Sequence, residues 1–154
     1  MNKADKRLRH WLDSKLDPYL GDLAELVNRD CGTLYKAGVD EVIDWLENRV
    51  VSWGAEVERR PEKQYGDMLL ARWRGSGRGR FLLTGHADTV YPVGTAAKRP
   101  MRRAEDDANH LLGPGVTDMK SGLLLGLYAV AALRAVGLDE WEEVAIVINS
   151  EEEY

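Results

Sequence analysis

Residues 119–136 read MKSGLLLGLYAVAALRAV, and residues 144–148 read VAIVI. The first run is apolar on almost every side, with Arg134 its only charge after Lys120. It predicts a helix buried over most of its surface. Gly137 supplies the stop. The second run has no polar break, the pattern of a strand inside a sheet covered on both faces. Upstream, Phe81 to Thr84 forms another short apolar run. Strand, crossover helix and strand in this order predict an α/β layered domain.

Helical periodicity dominates the first third of the chain. Leu8, Trp11 and Leu12, then Leu20, Leu23, Leu26 and Val27, recur at spacings of three and four. Pro18 and Gly21 predict either two helices or one kinked helix there. A further helix is expected over Val39 to Trp53, with Gly54 as its terminating glycine. Strands follow over Ala55 to Arg60 and Asp67 to Trp73. Gly75-Ser76-Gly77 reads as a hairpin turn leading into Phe81. A phosphate-binding loop is the sharper alternative for these glycines, but no Lys-Ser/Thr pair follows them before a helix.

Composition excludes several classes. With 44% hydrophobic and 31% charged residues, the chain has the balance of a globular protein with a core. A net charge of −5 disfavours a nucleic-acid partner. Arg102 and Arg103 are offset by Glu105, Asp106 and Asp107, as in a solvated loop. The longest apolar stretch, Gly122 to Leu133, is shorter than the roughly 20 residues a bilayer span needs. Cys31 has no partner for a disulfide, and Met1 to Asp17 lacks a signal-type apolar core. The expectation is a soluble, cytoplasmic chain without a membrane or nucleic-acid partner. No Gly-x-Ser-x-Gly elbow is present, which argues against a serine hydrolase.

Three clusters carry candidate chemistry, each after an expected strand or before an expected helix, where open α/β sheets place their sites. In His86-Ala87-Asp88 the imidazole is a candidate metal ligand and Asp88 a partner for its other nitrogen. The plainer reading is a strand-end turn in which Asp88 satisfies backbone amides. Asp118 either caps the following helix or, with Gly113 and Gly115 allowing close approach, bridges two cations. Glu151, Glu152 and Glu153 either form a solvated acidic tail or face a cation that relieves their repulsion. His10 and His110 fit surface positions better than ligand positions.

Taken in order, these clusters resemble the M20 family of zinc peptidases, nearest its glutamate carboxypeptidase members. The matching stretches are Thr84-Gly85-His86-Ala87-Asp88-Thr89-Val90, Gly113-Pro114-Gly115-Val116-Thr117-Asp118-Met119-Lys120-Ser121-Gly122 and Ile148-Asn149-Ser150-Glu151-Glu152-Glu153. A fainter likeness to the family's opening loop runs over residues 26–33. The resemblance extends from about Leu20 to the end. It implies the N-terminal part, residues 1–154, of a truncated zinc-peptidase-like catalytic domain, a mixed sheet flanked by helices.

The same resemblance implies roles. His86 is a ligand of one zinc, with Asp88 orienting its ring. Asp118 bridges two Zn2+, for which Co2+ or Mn2+ are alternatives, and Glu153 ligates the other ion. Glu152 is the general base. The implied reaction is hydrolysis of a peptide or N-acyl amide bond beside a carboxylate, on a small peptide or N-acyl amino acid, by a protein that dimerises through an inserted lid domain. The sequence departs from the family at Glu151, where Asp is usual, and at Thr117 and Ser121, where smaller residues are common. Two further ligands and the lid have no counterpart before Tyr154, so weak metal binding and an inactive fragment are expected of residues 1–154 alone. A silent folding or binding module is the alternative from another class.

Overall fold

The computed structural model describes residues 2–154, in which a mixed four-stranded sheet carries its helices on one face. Three helices come first: α1 (Lys3–Ser14), α2 (Leu16–Val27) and α3 (Lys36–Ser52). The break between α1 and α2 falls at Lys15, not at Pro18 or Gly21. Pro18 sits in the first turn of α2, where backbone N–H groups have no helical acceptor, so its missing donor costs nothing. Gly54 terminates α3 with φ 78°. Its N–H donates to the Val51 carbonyl at 2.9 Å and that of Ala55 to Val50 at 3.0 Å, the paired closure of a Schellman motif.

The strands are β1 (Glu56–Arg60), β2 (Met68–Arg74), β3 (Arg80–His86) and β6 (Glu143–Asn149), in spatial order β1-β2-β6-β3. A four-residue helix α4 (Thr95–Lys98), a small hairpin of β4 (Arg102–Arg103) and β5 (Leu111–Leu112), and helix α5 (Ser121–Ala135) connect β3 to β6. β6 pairs antiparallel with β2 and parallel with β3. The expected hairpin at Gly75-Ser76-Gly77 therefore does not form, because β6 inserts between the two strands that the turn would have joined. These glycines instead lie against the segment entering β6. Gly77 N–H donates to the Trp141 carbonyl at 2.9 Å, and a Cβ at Gly77 would stand 1.9 Å from the Glu140 oxygen.

Alternation along the strands sorts the two faces of the sheet. Leu69, Ala71 and Trp73 pair in register with Ile148, Ile146 and Val144, and all six are buried against α2, α3 and α5. Leu70, Leu82, Ala145 and Val147 project to the other face, which no described helix covers. Coverage on both faces, expected from the unbroken apolar run of β6, is thus not what the described residues show. β3 is an edge strand, with Phe81 and Leu82 more than half exposed.

Val116–Ala135 is long and apolar enough to cross a bilayer by length and composition, more than the Gly122–Leu133 stretch suggested. Its first turn is not helical, with φ −121° and ψ 104° at Asp118, and the Lys120 ammonium is buried with its proton donated to the Arg29 carbonyl at 3.1 Å. Leu123, Leu124, Leu127 and Val130 belong to the sheet's core.

An ionic network locks α3 to the β1–β2 connection. Asp67 accepts from Lys36 Nζ at 2.7 Å, Arg59 Nε at 2.8 Å and the Glu62 N–H at 3.1 Å. Burial raises the Asp67 pKa, but Lys36, the Glu62 amide and Arg59 outweigh it and hold the carboxyl down at about 2. A depressed carboxylate stabilises the fold fully above its unfolded pKa of about 3.9, and that contribution drains away as pH falls from there towards 2. Asp67→Asn is expected to lower stability by about 1–2 kcal/mol at neutral pH and by much less at pH 2. Urea midpoints at the two pH values check this.

Candidate metal centre

The parallel pairing of β3 with β6 decides where the site can be. Two parallel strands end at the same edge, so His86, opposite Asn149, lies beside the turn that follows β6. α5 starts at that edge, and the irregular turn before it carries Asp118. The three clusters, far apart in sequence, are thereby brought to one place. His86 Nε2 lies 3.0 Å from Asp118 Oδ1 and 3.8 Å from Glu152 Oε2. One ligand atom each from His86, Asp118 and Glu153 falls within 4.8 Å of the others.

His86 is 4% exposed and its ring is held from behind. Nδ1 faces the Asp88 carbonyl at 3.1 Å and Asp88 Oδ1 at 3.3 Å, both acceptors, so Nδ1 carries the proton. Nε2 then presents its lone pair towards a carboxylate oxygen, and a proton or a cation must lie between them. Burial lowers the His86 pKa, but the Asp118 contact, the Asp88 charge and carbonyl, and Glu152 outweigh it and raise the value overall. The Glu153 pKa is raised, first by burial and then by Asp118, with Glu152 and Asp88 adding to it against an opposing effect of His86. Three other carboxylates crowd Glu153 and His86 offsets them only in part, a negative surplus that a divalent ion would neutralise.

Asp88 is the most constrained acid of the group, at 1% exposure. Besides meeting His86, it accepts the Thr33 hydroxyl at 2.7 Å, the Glu152 N–H at 3.2 Å and the Glu153 N–H at 3.1 Å. Glu152 and Glu153 thus sit in a turn anchored on Asp88. Both side chains consequently reach the cluster, Glu153 as a member and Glu152 at its margin. Asp118 does not cap α5, whose cap position is Lys120 without a side-chain bond. The Asp118–Met119 peptide is cis.

Gly113 and Gly115 permit a close approach, here of neighbouring parts of the protein. A Cβ at Gly113 would meet Val27 Cγ1 at 2.4 Å, and one at Gly115, where φ is 70°, would meet Thr89 Cγ2 at 2.6 Å. The glycines let the loop close on its neighbours, and both border the hollow that holds Asp118 and Glu153. Sequence reasoning missed Thr33 and Lys120. Thr33 belongs to residues 26–33, whose likeness to an opening loop was its only signal. In the structure this loop runs beside Thr89, and Asp30 accepts the Gly94 and Ala96 amides at 2.6 and 2.8 Å. Cys31 is buried, 3.9 Å from the Thr89 hydroxyl, and outside the cluster. His10 and His110 are exposed and away from it, His110 paired with Asp107 at 2.9 Å.

Residues 82–154 match the profile of peptidase family M20/M25/M40. The chain is 32% identical over 133 residues to carboxypeptidase G2 of Pseudomonas sp. (strain RS-16), covering 85% of this chain and 31% of that protein. It is 32% identical over 115 residues to acetylornithine deacetylase of Photorhabdus laumondii subsp. laumondii, covering 71% and 30%. The chain therefore spans about a third of the length of these curated relatives. Human carnosine dipeptidase 1 shares the fold, with a TM-score of 0.81 at 18% identity over 99% of this chain and 35% of that one.

Proposed function

This chain belongs to peptidase family M20/M25/M40, and from that premise we propose that residues 1–154 supply the N-terminal part of a catalytic domain hydrolysing a peptide or N-acyl amide bond beside a carboxylate. The observation that carries the reading is the convergence of His86, Asp118 and Glu153 on one point, with the His86 ring fixed by Asp88. The donor set fits a catalytic zinc site, in which three nitrogen and oxygen ligands leave a position open. Zn2+ is the proposed ion, with Co2+ or Mn2+ as substitutes. Asp118, largely exposed and with only Oδ1 against His86, has its second oxygen available for a second ion.

Bound there, the metal would acidify a water and polarise the scissile carbonyl. The chain's own residues do the rest. Asp88 holds the imidazole so that Nε2 points outward, and it fixes the turn that presents both glutamates. Glu153 and Asp118 hold the ion. Glu152 takes the proton from the attacking water and returns it to the leaving amine, as a free carboxylate at the margin of the cluster can.

Carboxypeptidase and N-acyl-amino-acid deacylase are both supported, the first by the carboxypeptidase G2 likeness and the second by the acetylornithine deacetylase likeness. A catalytically silent module is the reading from another class. Metal removal separates them. In the full-length protein, treatment with EDTA should abolish amine release from an N-acyl amino acid, and added Zn2+ should restore it. Release that survives chelation contradicts the proposed chemistry, and a full-length protein that takes up zinc without ever releasing amine fits the silent module.

A further inference from the structure

Away from the metal edge, aromatic and cationic side chains of the helices meet around one hollow. Trp11 of α1, Trp53 just after α3 and Tyr128 of α5 are its aromatic surfaces, and Lys15, Arg49 and Arg134 are its cations. Its volume is about 340 Å3, at the small end of the range for ligand sites. Helix α5 begins at the metal edge with Ser121, and Arg134 lies about 20 Å further along its axis. Tyr128, 5% exposed, stands edge-on to Trp53 at 5.1 Å between centroids and tilted against Trp11 at 6.4 Å. Lys15 lies over the Trp11 ring at 5.6 Å, and Arg49 over Trp53 at the same distance. Asp22, which does not line the hollow, pairs with Arg49 and accepts the Tyr128 hydroxyl at 2.8 Å. Arg134 donates to the Trp53 carbonyl, and neither it nor Lys15 pairs with a carboxylate among the described residues.

Among the described residues no acid lines this hollow, although the chain as a whole carries a net charge of −5. Cations gathered without a counter-ion repel one another, and an anion seated among them relieves that repulsion. A guanidinium offers its donors in a flat fork that suits a carboxylate or phosphate. Indole and phenol rings beside it offer faces and edges to a planar ring. We propose that the hollow is a second binding site, for a planar aromatic anion. The ring of such a ligand lies against Trp11 and Trp53, and its carboxylate or phosphate group meets Lys15 and Arg134. No residue that lines this hollow lines those beside the metal cluster, so the assignment stands apart from the hydrolytic reading.

Calorimetric titration of the full-length protein with four small probes tests this. Two are aromatic anions, 2-naphthoate and 2-naphthyl phosphate. The controls are uncharged 2-naphthol and non-aromatic cyclohexanecarboxylate. At least one naphthyl anion should bind about tenfold tighter than either control, and the tighter of the two anions identifies the preferred group. Its affinity should be the same with zinc bound and after EDTA has removed the metal. Arg134→Gln and Lys15→Gln should each bring the anion down towards 2-naphthol, and Trp11→Ala should bring it down towards cyclohexanecarboxylate. The Lys15 side chain makes no hydrogen bond to a described residue, so Lys15→Gln reports on binding with the fold intact. No saturable binding of either anion, or binding no tighter than the controls, overturns the site. So does an affinity unmoved by both Arg134→Gln and Lys15→Gln, or binding that vanishes with the zinc, which would place the probe at the metal centre.

Discussion

In the full-length protein, Glu152→Gln is expected to slow amide hydrolysis by about 10²–10⁴-fold while zinc stays bound. Glutamine keeps the shape of the side chain but cannot take a proton. The cluster's ligand atoms come from His86, Asp118 and Glu153, and Glu152 Oε2 stands 3.8 Å from His86 Nε2, beside the ligands but outside their set. A loss of ion-holding capacity would appear as reduced zinc stoichiometry, and a loss of base function as reduced kcat at full stoichiometry. The second outcome is expected. A Glu152→Gln variant that turns over at the unsubstituted rate removes Glu152 from the role of base.

Asp88→Ala should act on both the fold and the metal. Its removal leaves the Thr33 hydroxyl and the Glu152 and Glu153 amides without their acceptor and the His86 ring without its orienting carboxylate. An unpaired buried donor such as the Thr33 hydroxyl costs about 1–3 kcal/mol and the partly exposed Glu152 and Glu153 amides less, so the destabilisation should be about 2–3 kcal/mol. Loss of a carboxylate that orients a ligating histidine lowers metal affinity by about 10–100-fold. Thr33→Val removes one of these bonds and leaves the other three, and should cost about 1 kcal/mol with little change in zinc affinity. Denaturant midpoints and zinc titrations on the two variants check the pair. An Asp88→Ala variant that binds zinc normally would mean that the ring holds its position without that carboxylate.

What the sequence made legible, and what it hid, follows from how local each signal is. Helix spacing and the terminating glycine at Gly54 depend on neighbours within a few residues, and the helices lie close to where periodicity put them. Strand partners are not local. Nothing within Gly75-Ser76-Gly77 reports that β6, far later in the chain, takes the place next to β2. An unbroken apolar run likewise records a central position in the sheet. In the described residues β6 is central, but helices cover one face only. At the site, acid and imidazole types marked His86, Asp88, Asp118, Glu152 and Glu153. The turn that aims both glutamates inward depends on Asp88, 64 positions before Glu152, and was invisible. Thr33 and Lys120 stayed hidden because a hydroxyl or an ammonium acquires its role only from a partner brought close by the fold.

Titration of the metal-free protein with Co2+, followed by visible absorption, tests the central claim most directly. Saturable binding that zinc displaces is expected, with each of His86→Ala, Asp118→Ala and Glu153→Ala weakening it and the triple substitution abolishing it while the fold persists. Binding of equal strength in the triple variant, or none in the unsubstituted chain, would contradict a metal centre at these three residues.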